Sequence, residues 1–291
     1  MKHIQKYPRL MIVVGILGIS MSAIFVKYSE APSAVTAAFR LLWTVLLMTP
    51  VVFGRKDIRR ELMGTEKRIW CLSVLAGLFL AIHFVLWFES LQHTTVASST
   101  TIVCTEVLWV SLGFCVFMKG RLSFRAVAAM GAAFLGSIAI AWSDATFGET
   151  HLYGDILALL AAVAVAVYTL IGRKVRREAS TAVYTYIVYT ACAGVLLIVC
   201  FAQGYGLFHY GSSAWIVGFL LAVFSTLLGH SIFSWCLKFF SPSFVSASKL
   251  CEPVAAALMA CFLFHEIPSL MQVAGGILIL GGVYYYSCLE G

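Results

Sequence analysis

Residues 243–264 read SFVSASKLCEPVAAALMACFLF. A helix of that length crosses a bilayer core of about 30 Å, because it rises ~1.5 Å per residue. Lys249 and Glu252 nevertheless stand near the middle of the run. A charge at mid-span costs at least about 2.5 kcal/mol on insertion scales, so it must face protein or water and have a partner. The meaning of the pair depends on what surrounds the run. Apolar runs of similar length recur at about 10–27, 33–54, 69–88, 95–118, 123–143, 152–172, 180–202, 213–236 and 269–288, making ten with the first. The chain is 61% hydrophobic and 11% charged over 291 residues, too little charge to cover a soluble globule of that size. The pattern predicts an all-α integral membrane protein with ten transmembrane helices, and its short loops leave no room for a separate soluble domain.

The first run continues to Lys27 without a small-residue cleavage site, so it is read as a span and not as a signal peptide. All nine cysteines fall inside apolar runs, where the type behaves as a small core hydrophobe. No disulfide framework, metal site or cofactor is expected. His265-Glu266 begins like a zinc-protease motif, but position 269 is Ser; no P-loop and no GxSxG occurs either, so no catalytic residue is expected.

The net charge of +7 is a topology signal. With the N-terminus in the cytoplasm and alternating spans, 17 of the 20 Lys and Arg fall on inner segments. These are Lys2, Lys6 and Arg9; Arg55, Lys56, Arg59, Arg60, Lys67 and Arg68; Lys119, Arg121 and Arg125; Arg173, Lys174, Arg176 and Arg177; and Lys238. The positive-inside rule then holds at every inner loop and puts both termini in the cytoplasm of a plasma (inner) membrane protein. Charge spent on topology gives no reason to expect nucleic acid. The expected partners are the lipid bilayer and a small-molecule substrate; a homodimer is possible but not required.

A shift of 146 residues places Glu106 on Glu252, Ser123 on Ser269, Val127 on Val273, Ala128 on Ala274 and Gly136 on Gly282. Such self-similarity predicts a five-plus-five duplication, residues 1–147 and 148–291. Five is odd, so the second copy enters the membrane from the opposite side, and inverted repeats of this kind carry a site between the halves near the midplane.

Four charges lie within spans: Arg40, Glu106, Lys249 and Glu252. Lys249 stands one turn before Glu252, within reach of an i,i+3 pair. Around them His83 and Trp87 share one helix face, as do His230 and Ser234 with Trp235 alongside; Ser99 lies two turns before Glu106, and Tyr168 is a further wall candidate. The predicted substrate-binding set is Arg40, His83, Trp87, Ser99, Glu106, Tyr168, His230, Trp235, Lys249 and Glu252. Glu106 and Glu252 are the proton-coupling candidates, since burial makes a carboxylate easier to protonate. The competing reading is a set of internal ion pairs that hold spans together. Gly131, Gly136, Gly275, Gly276, Gly281 and Gly282 are assigned to close helix packing, Ser22 with Gly15 and Gly18 to a packed first helix, and Pro253 to a kink beside the charges.

The stretch KLCEPVAAALMACFLFHEIPSLMQVAGGILILGGVYYYS (249–287) resembles the EamA-type ten-helix members of the drug/metabolite transporter superfamily. It has a Pro in span 9, Glu266 in the following loop and a Gly-rich last helix. APSAVTAAFRLLWTVLLMTP (31–50), with its early Arg40, is similar to the family's second helix, and WFESLQHTTVASST (87–100) to its span 3–4 connection. The resemblance implies two five-helix inverted repeats around a central cavity, cytoplasmic termini, and movement of small metabolites. The first half departs from the pattern, with Val107 where the repeat would place Pro and Lys119-Gly120-Arg121 where it would place an acidic residue. The expected activity is secondary transport, as an exporter, of a small polar or zwitterionic metabolite such as an amino acid, by alternating access with possible proton coupling. The alternatives are export of aromatic or quaternary organic cations and, from another class, a non-transporting sensor or an intramembrane enzyme.

Overall fold

The computed structural model describes residues 7–94, 96–144, 152–207, 209–255, 258 and 270–289. Every regular element among them is helical: α1 (Pro8–Lys27), α2 (Ser33–Gly54), α3 (Lys56–Met63), α4 (Lys67–His93), α5 (Val96–Val103), α6 (Glu106–Met118), α7 (Phe124–Asp144), α8 (Leu152–Val175), α9 (Thr181–Ala202), α10 (Gly211–Leu220), a π-helix (Leu221–His230), α11 (Ser231–Cys236), α12 (Pro242–Ser248), a 3₁₀ turn (Lys249–Cys251) and α13 (Leu270–Leu289).

Local chemistry sets several boundaries. Pro8 and Pro242 occupy first-turn positions, where the missing N–H costs nothing. Ser180 and Ser241 cap α9 and α12 by accepting from Val183 N at 3.3 Å and Phe244 N at 3.1 Å. Lys119 ends α6 in the left-handed region at φ 53°.

Among the described residues, seven helices are long and apolar enough to cross a membrane: Pro8–Val26, Ser33–Gly54, Lys67–His93, Ser99–Met118, Leu152–Val175, Thr181–Ala202 and Gly211–Cys236. Shorter apolar helices cover Phe124–Ala139 and Val273–Leu289. The run 243–264 is described to Ala255 and at Leu258, so His265 and Glu266 lie outside the described residues. Three of the expected continuous runs are interrupted. Run 95–118 breaks at Cys104–Thr105, run 213–236 contains the π-helix, and run 243–264 tightens into the 3₁₀ turn before the α-helix resumes at Glu252. Pro253 follows directly, in the first turn of the resumed helix, so it starts a segment and does not kink one.

α4 and α8 run antiparallel. Along α4 and α8, Thr94 Oγ1 donates to Asp155 Oδ1 at one end (2.8 Å) and Arg68 pairs with Glu178 at the other (2.5 Å). α7 packs on α13 through Gly136, which faces the Gly275 carbonyl, and through Ala129, whose carbonyl faces Gly282. A Cβ added at either glycine would lie 2.5 or 2.6 Å from that oxygen, which is why this contact requires glycine. α1 packs on the π-helix in the same way: a Cβ on Gly18 would lie 2.7 Å from the Phe224 carbonyl.

The basic segments at α3, the α8–α9 turn and the α11–α12 turn meet at one end. Ile58 and Leu62 of α3 bury against Val52, Val183 and Ile187, turning Lys56, Arg59 and Arg60 outward. Glu61 Oε1 accepts from Ser180 N at 2.6 Å, tying α3 to the α8–α9 turn. Arg173 donates to the Leu237 and Phe240 carbonyls, and Arg176 to those of Ser234 and Ala179, closing the α11–α12 turn onto α8. Burial lowers Arg176 to about 10, so it stays charged at neutral pH while satisfying these carbonyls. Arg55 holds the Asp57 carboxyl below its usual range through a 2.7 Å hydrogen bond.

Candidate functional site

The helix interruptions bring the charges together. Glu106 opens α6 directly after the Cys104–Thr105 break, where the partial positive charge of a helix N-terminus favours a carboxylate. Lys249 lies in the 3₁₀ turn, and its Nζ is 2.8 Å from Glu106 Oε1. The two side chains are only 12% and 6% exposed, so each charge depends on the other. The sequence places Lys249 near Glu252 by spacing; the ion pair that forms is instead the one across to Glu106. A 3₁₀ turn keeps residues i and i+3 on one face, so spacing alone does not decide the pairing; the long lysine side chain reaches across to Glu106 on the neighbouring helix.

Glu252 begins the next half-helix. Among the described residues its carboxylate takes part in none of the hydrogen bonds or ion pairs, and the charges facing it are Lys249, Glu106 and Arg40. Its main chain is held from α1, where Ser20 Oγ lies 3.3 Å from the Glu252 carbonyl oxygen.

Arg40 is 1% exposed and has no carboxylate partner among the described residues. Its Nε donates to Thr226 Oγ1 at 2.7 Å and its Nη1 to Ser22 Oγ at 3.3 Å; the guanidinium carbon lies 4.2 Å from the Phe84 ring centroid. Nη2 is buried with no hydrogen-bond partner among the described residues. A buried guanidinium with an unpartnered nitrogen has free capacity for an anion.

These groups line one small cavity of about 50 Å³. The wall holds Ile19, Ser22, Arg40, His83, Trp87, Thr100, Val103, Glu106, Val165, His230, Lys249 and Glu252. His83 Nδ1 lies 3.0 Å from the Ala161 carbonyl, so it carries the proton and donates. Its ring stacks on Trp87 at 6.0 Å and 9° between planes, and it meets His230 edge-on at 6.5 Å. Trp87 Nε1 and Thr100 Oγ1 are buried without partners among the described residues. Three wall residues therefore carry a buried polar atom without a hydrogen-bond partner among the described residues: Arg40 Nη2, Trp87 Nε1 and Thr100 Oγ1.

Of the ten residues singled out in the sequence, seven line the cavity and three do not. Ser99 is turned to Ser90, at 2.6 Å, while its neighbour Thr100 faces the cavity. Tyr168 hydrogen-bonds Ser234 at 2.8 Å and stands behind His230, with ring centroids 6.3 Å apart. Trp235 packs on Phe239 at 4.5 Å beside the apolar core. Ser22 and Thr100 are wall residues that the sequence reading did not assign, and Thr226, outside the wall, holds Arg40 by a hydrogen bond. Their only advance signal is a hydroxyl within an apolar run. No group of three or more His, Cys, Asp or Glu that could hold a metal ion occurs among the described residues.

A multi-pass helical chain with paired and unpaired charges around one internal cavity is a membrane transporter in class. The chain belongs to the EamA-like transporter family, whose model matches residues 7–142 and again 152–288. Three proteins of Archaeoglobus fulgidus, each described as an uncharacterized transporter, are similar over nearly their whole length. One is 24% identical, covering 90% of this chain and 91% of the relative. The others are both 23% identical, with 96% and 96%, and 96% and 98%, covered. One solved crystal structure matches with a TM-score of 0.79 at 18% identity, covering 98% of each chain, which supports the fold alone. The family consists of transporters and not enzymes, so the intramembrane-enzyme reading is set aside.

Proposed function

We propose that the protein is a secondary transporter that moves a small zwitterionic metabolite such as an amino acid through this cavity by alternating access. One observation carries the reading: a single cavity holds a guanidinium with an unpartnered nitrogen (Arg40) and a carboxylate without a partner (Glu252) among the described residues. Lys249 and Glu106 neutralise each other, so the charge left for a ligand is one positive and one negative. A carboxylate at Arg40 and an ammonium at Glu252 would satisfy both. Glu252 is also the proton-coupling residue on this reading, because Glu106 is occupied by Lys249.

The two-repeat architecture, 1–147 and 148–291 with ten crossings, is supported by three features. The family model matches twice. The interruptions at Cys104–Thr105 and Lys249–Cys251 correspond under the 146-residue shift. So do the glycine contacts: Gly136 against Gly275, and Gly282 against Ala129, are one contact seen from each side. Their antiparallel sense is the one an inverted repeat requires. Broken helices beside the charges are where transporters of inverted repeats place substrate and coupling ion. Cytoplasmic termini in a plasma membrane, and export, complete the proposal, supported by the basic segments meeting at one end.

The test is open-ended flux. Vesicles holding the protein are loaded with amino acids, nucleosides and organic cations, and each compound is followed by mass spectrometry with and without a pH gradient. Amino-acid movement that Arg40→Gln abolishes and Glu252→Gln frees from pH dependence is the expected result. Selective movement of quaternary cations, unaffected by Arg40→Gln, would replace this reading with the cation exporter.

A further inference from the structure

We propose that Thr226 is the positioning residue for Arg40: the π-helix exists to present its hydroxyl, which holds Nε and so fixes the guanidinium of this cavity-wall arginine with Nη2 as its one nitrogen without a partner among the described residues. The inference rests on the zwitterion reading for what Arg40 binds, but the clasp itself is independent of it.

An arginine in a cavity wall has five donors and a long flexible stem, and unrestrained it would sample many poses. Here two of its three nitrogens are taken, Nε by Thr226 Oγ1 at 2.7 Å and Nη1 by Ser22 Oγ at 3.3 Å, and Phe84 backs the plane at 4.2 Å. Only Nη2 is left without a partner among the described residues. The shorter and better-placed of the two bonds comes from Thr226, on the far half of the chain. The remaining contacts come from Ser22 on α1 and Phe84 on α4.

The local backbone explains why this threonine can do so. In an ordinary α-helix a threonine hydroxyl back-bonds to the carbonyl four residues earlier. Thr226 lies inside the π-helix Leu221–His230, and its Oγ1 donates instead to the Leu221 carbonyl, five residues earlier, at 3.2 Å. With its proton committed there, the oxygen's lone pairs are free for Arg40 Nε. The same register recurs one turn on, where Ser231 N–H and Oγ both donate to the Thr226 carbonyl. Each residue along an α-helix advances about 100°, so the residue gained by the wide turn rotates the remainder of the helix by that amount. His230 closes the wide turn and lines the same cavity. π-Turns are uncommon and concentrate at functional sites. This one places a hydroxyl acceptor behind the guanidinium and a ring beside it.

The test pairs two readouts on the full-length protein with Thr226→Val, which keeps shape and removes the hydroxyl, and Thr226→Ser, which restores it. Thr226→Ala serves if the valine variant is not recovered folded. The first readout needs no substrate: labelling of detergent-solubilised protein with phenylglyoxal, quantified on the peptide that holds Arg40. Thr226→Val should raise the labelling rate several-fold, and Thr226→Ser should return it to the wild-type rate. Unchanged labelling would overturn the clasp. The second readout is amino-acid flux. Losing a hydrogen bond to a charged group predicts a KM raised about ten- to hundredfold with kcat changed far less, and rescue by Thr226→Ser. A protein that transports with a wild-type KM in Thr226→Val overturns the positioning role even if labelling rises. If labelling responds as expected and the wild type moves no amino acid, the clasp stands and the zwitterion reading fails.

Discussion

Removing one partner of the Lys249–Glu106 pair should be far more damaging than removing both. The groups are 2.8 Å apart and 12% and 6% exposed, so neither charge has water to fall back on. Breaking a buried pair by deleting one member costs about 3–5 kcal/mol, because the other charge is stranded, whereas replacing both by neutral groups of similar size is close to neutral. Lys249 borders a cavity, which puts the expected cost of Glu106→Gln or Lys249→Met near the lower end, about 3 kcal/mol each. The double variant should recover most of that loss, giving a coupling energy of at least about 2 kcal/mol. Reversible denaturation in detergent micelles, followed by tryptophan fluorescence, measures all four corners of the cycle. Pairing Lys249→Met with Glu252→Gln supplies the comparison, and these two should show the weaker coupling. Single losses that add within about 0.5 kcal/mol in the Glu106 cycle, with strong coupling in the Glu252 cycle, would refute the assignment. They would restore the pairing expected from sequence spacing, and Glu106 would then be the free carboxylate.

The helix contacts give a symmetric test of the duplication. Gly136→Ala and Gly282→Ala both force a Cβ against backbone, 2.5 Å from the Gly275 oxygen and 2.6 Å from that of Ala129. Each should cost about 1–3 kcal/mol, while Gly131→Ala, with nothing within 4 Å, should be neutral or stabilising in a melting assay. A large difference between Gly136→Ala and Gly282→Ala would count against the two-fold relation. Topology is tested in a chain whose native cysteines are replaced: Asp57→Cys should be protected from an impermeant thiol reagent on intact cells and Phe147→Cys labelled. Labelling at 57 reverses the assigned orientation.

Span positions were largely legible in the sequence because bilayer thickness leaves a strong mark. The run placed at 33–54 is α2, Ser33–Gly54, and that at 180–202 is α9 within a residue. The charges were legible for the same reason: Arg40, Glu106, Lys249 and Glu252 stand out in an apolar background and all line one cavity. What pairs with what was not legible. Lys249 and Glu106 are 143 residues apart, and their contact depends on two breaks in two helices whose relative position no local spacing encodes. Hydroxyls were hard to assign for a related reason. Ser99 and Thr100 are neighbours of one chemical type, and only the rotation of α5 decides that Ser99 bonds Ser90 while Thr100 faces the cavity. The π-helix was hidden as well, since its sequence LAVFSTLLGH has the composition of any span.

The helix interruptions and the charges have a common cause. A continuous helix offers the bilayer centre only side chains, and its own N–H and C=O groups are spent internally. Breaking the helix at Cys104–Thr105 gives Glu106 a helix N-terminus, whose partial positive charge offsets part of the cost of holding a carboxylate there. The break at Lys249–Cys251 does the same for Glu252, and Pro253 suits its place because the first turn of a helix has N–H groups to spare. Both breaks therefore lower the cost of a charge at the site, but they spend it differently. Glu106 is neutralised by Lys249, which joins the two broken helices, and Glu252 keeps its charge for whatever enters the cavity. Symmetry by itself would have made the two carboxylates equivalent. The lysine, which faces no basic counterpart in the first half (Val103 holds the corresponding position under the 146-residue shift), is what divides them into a brace and a binding group.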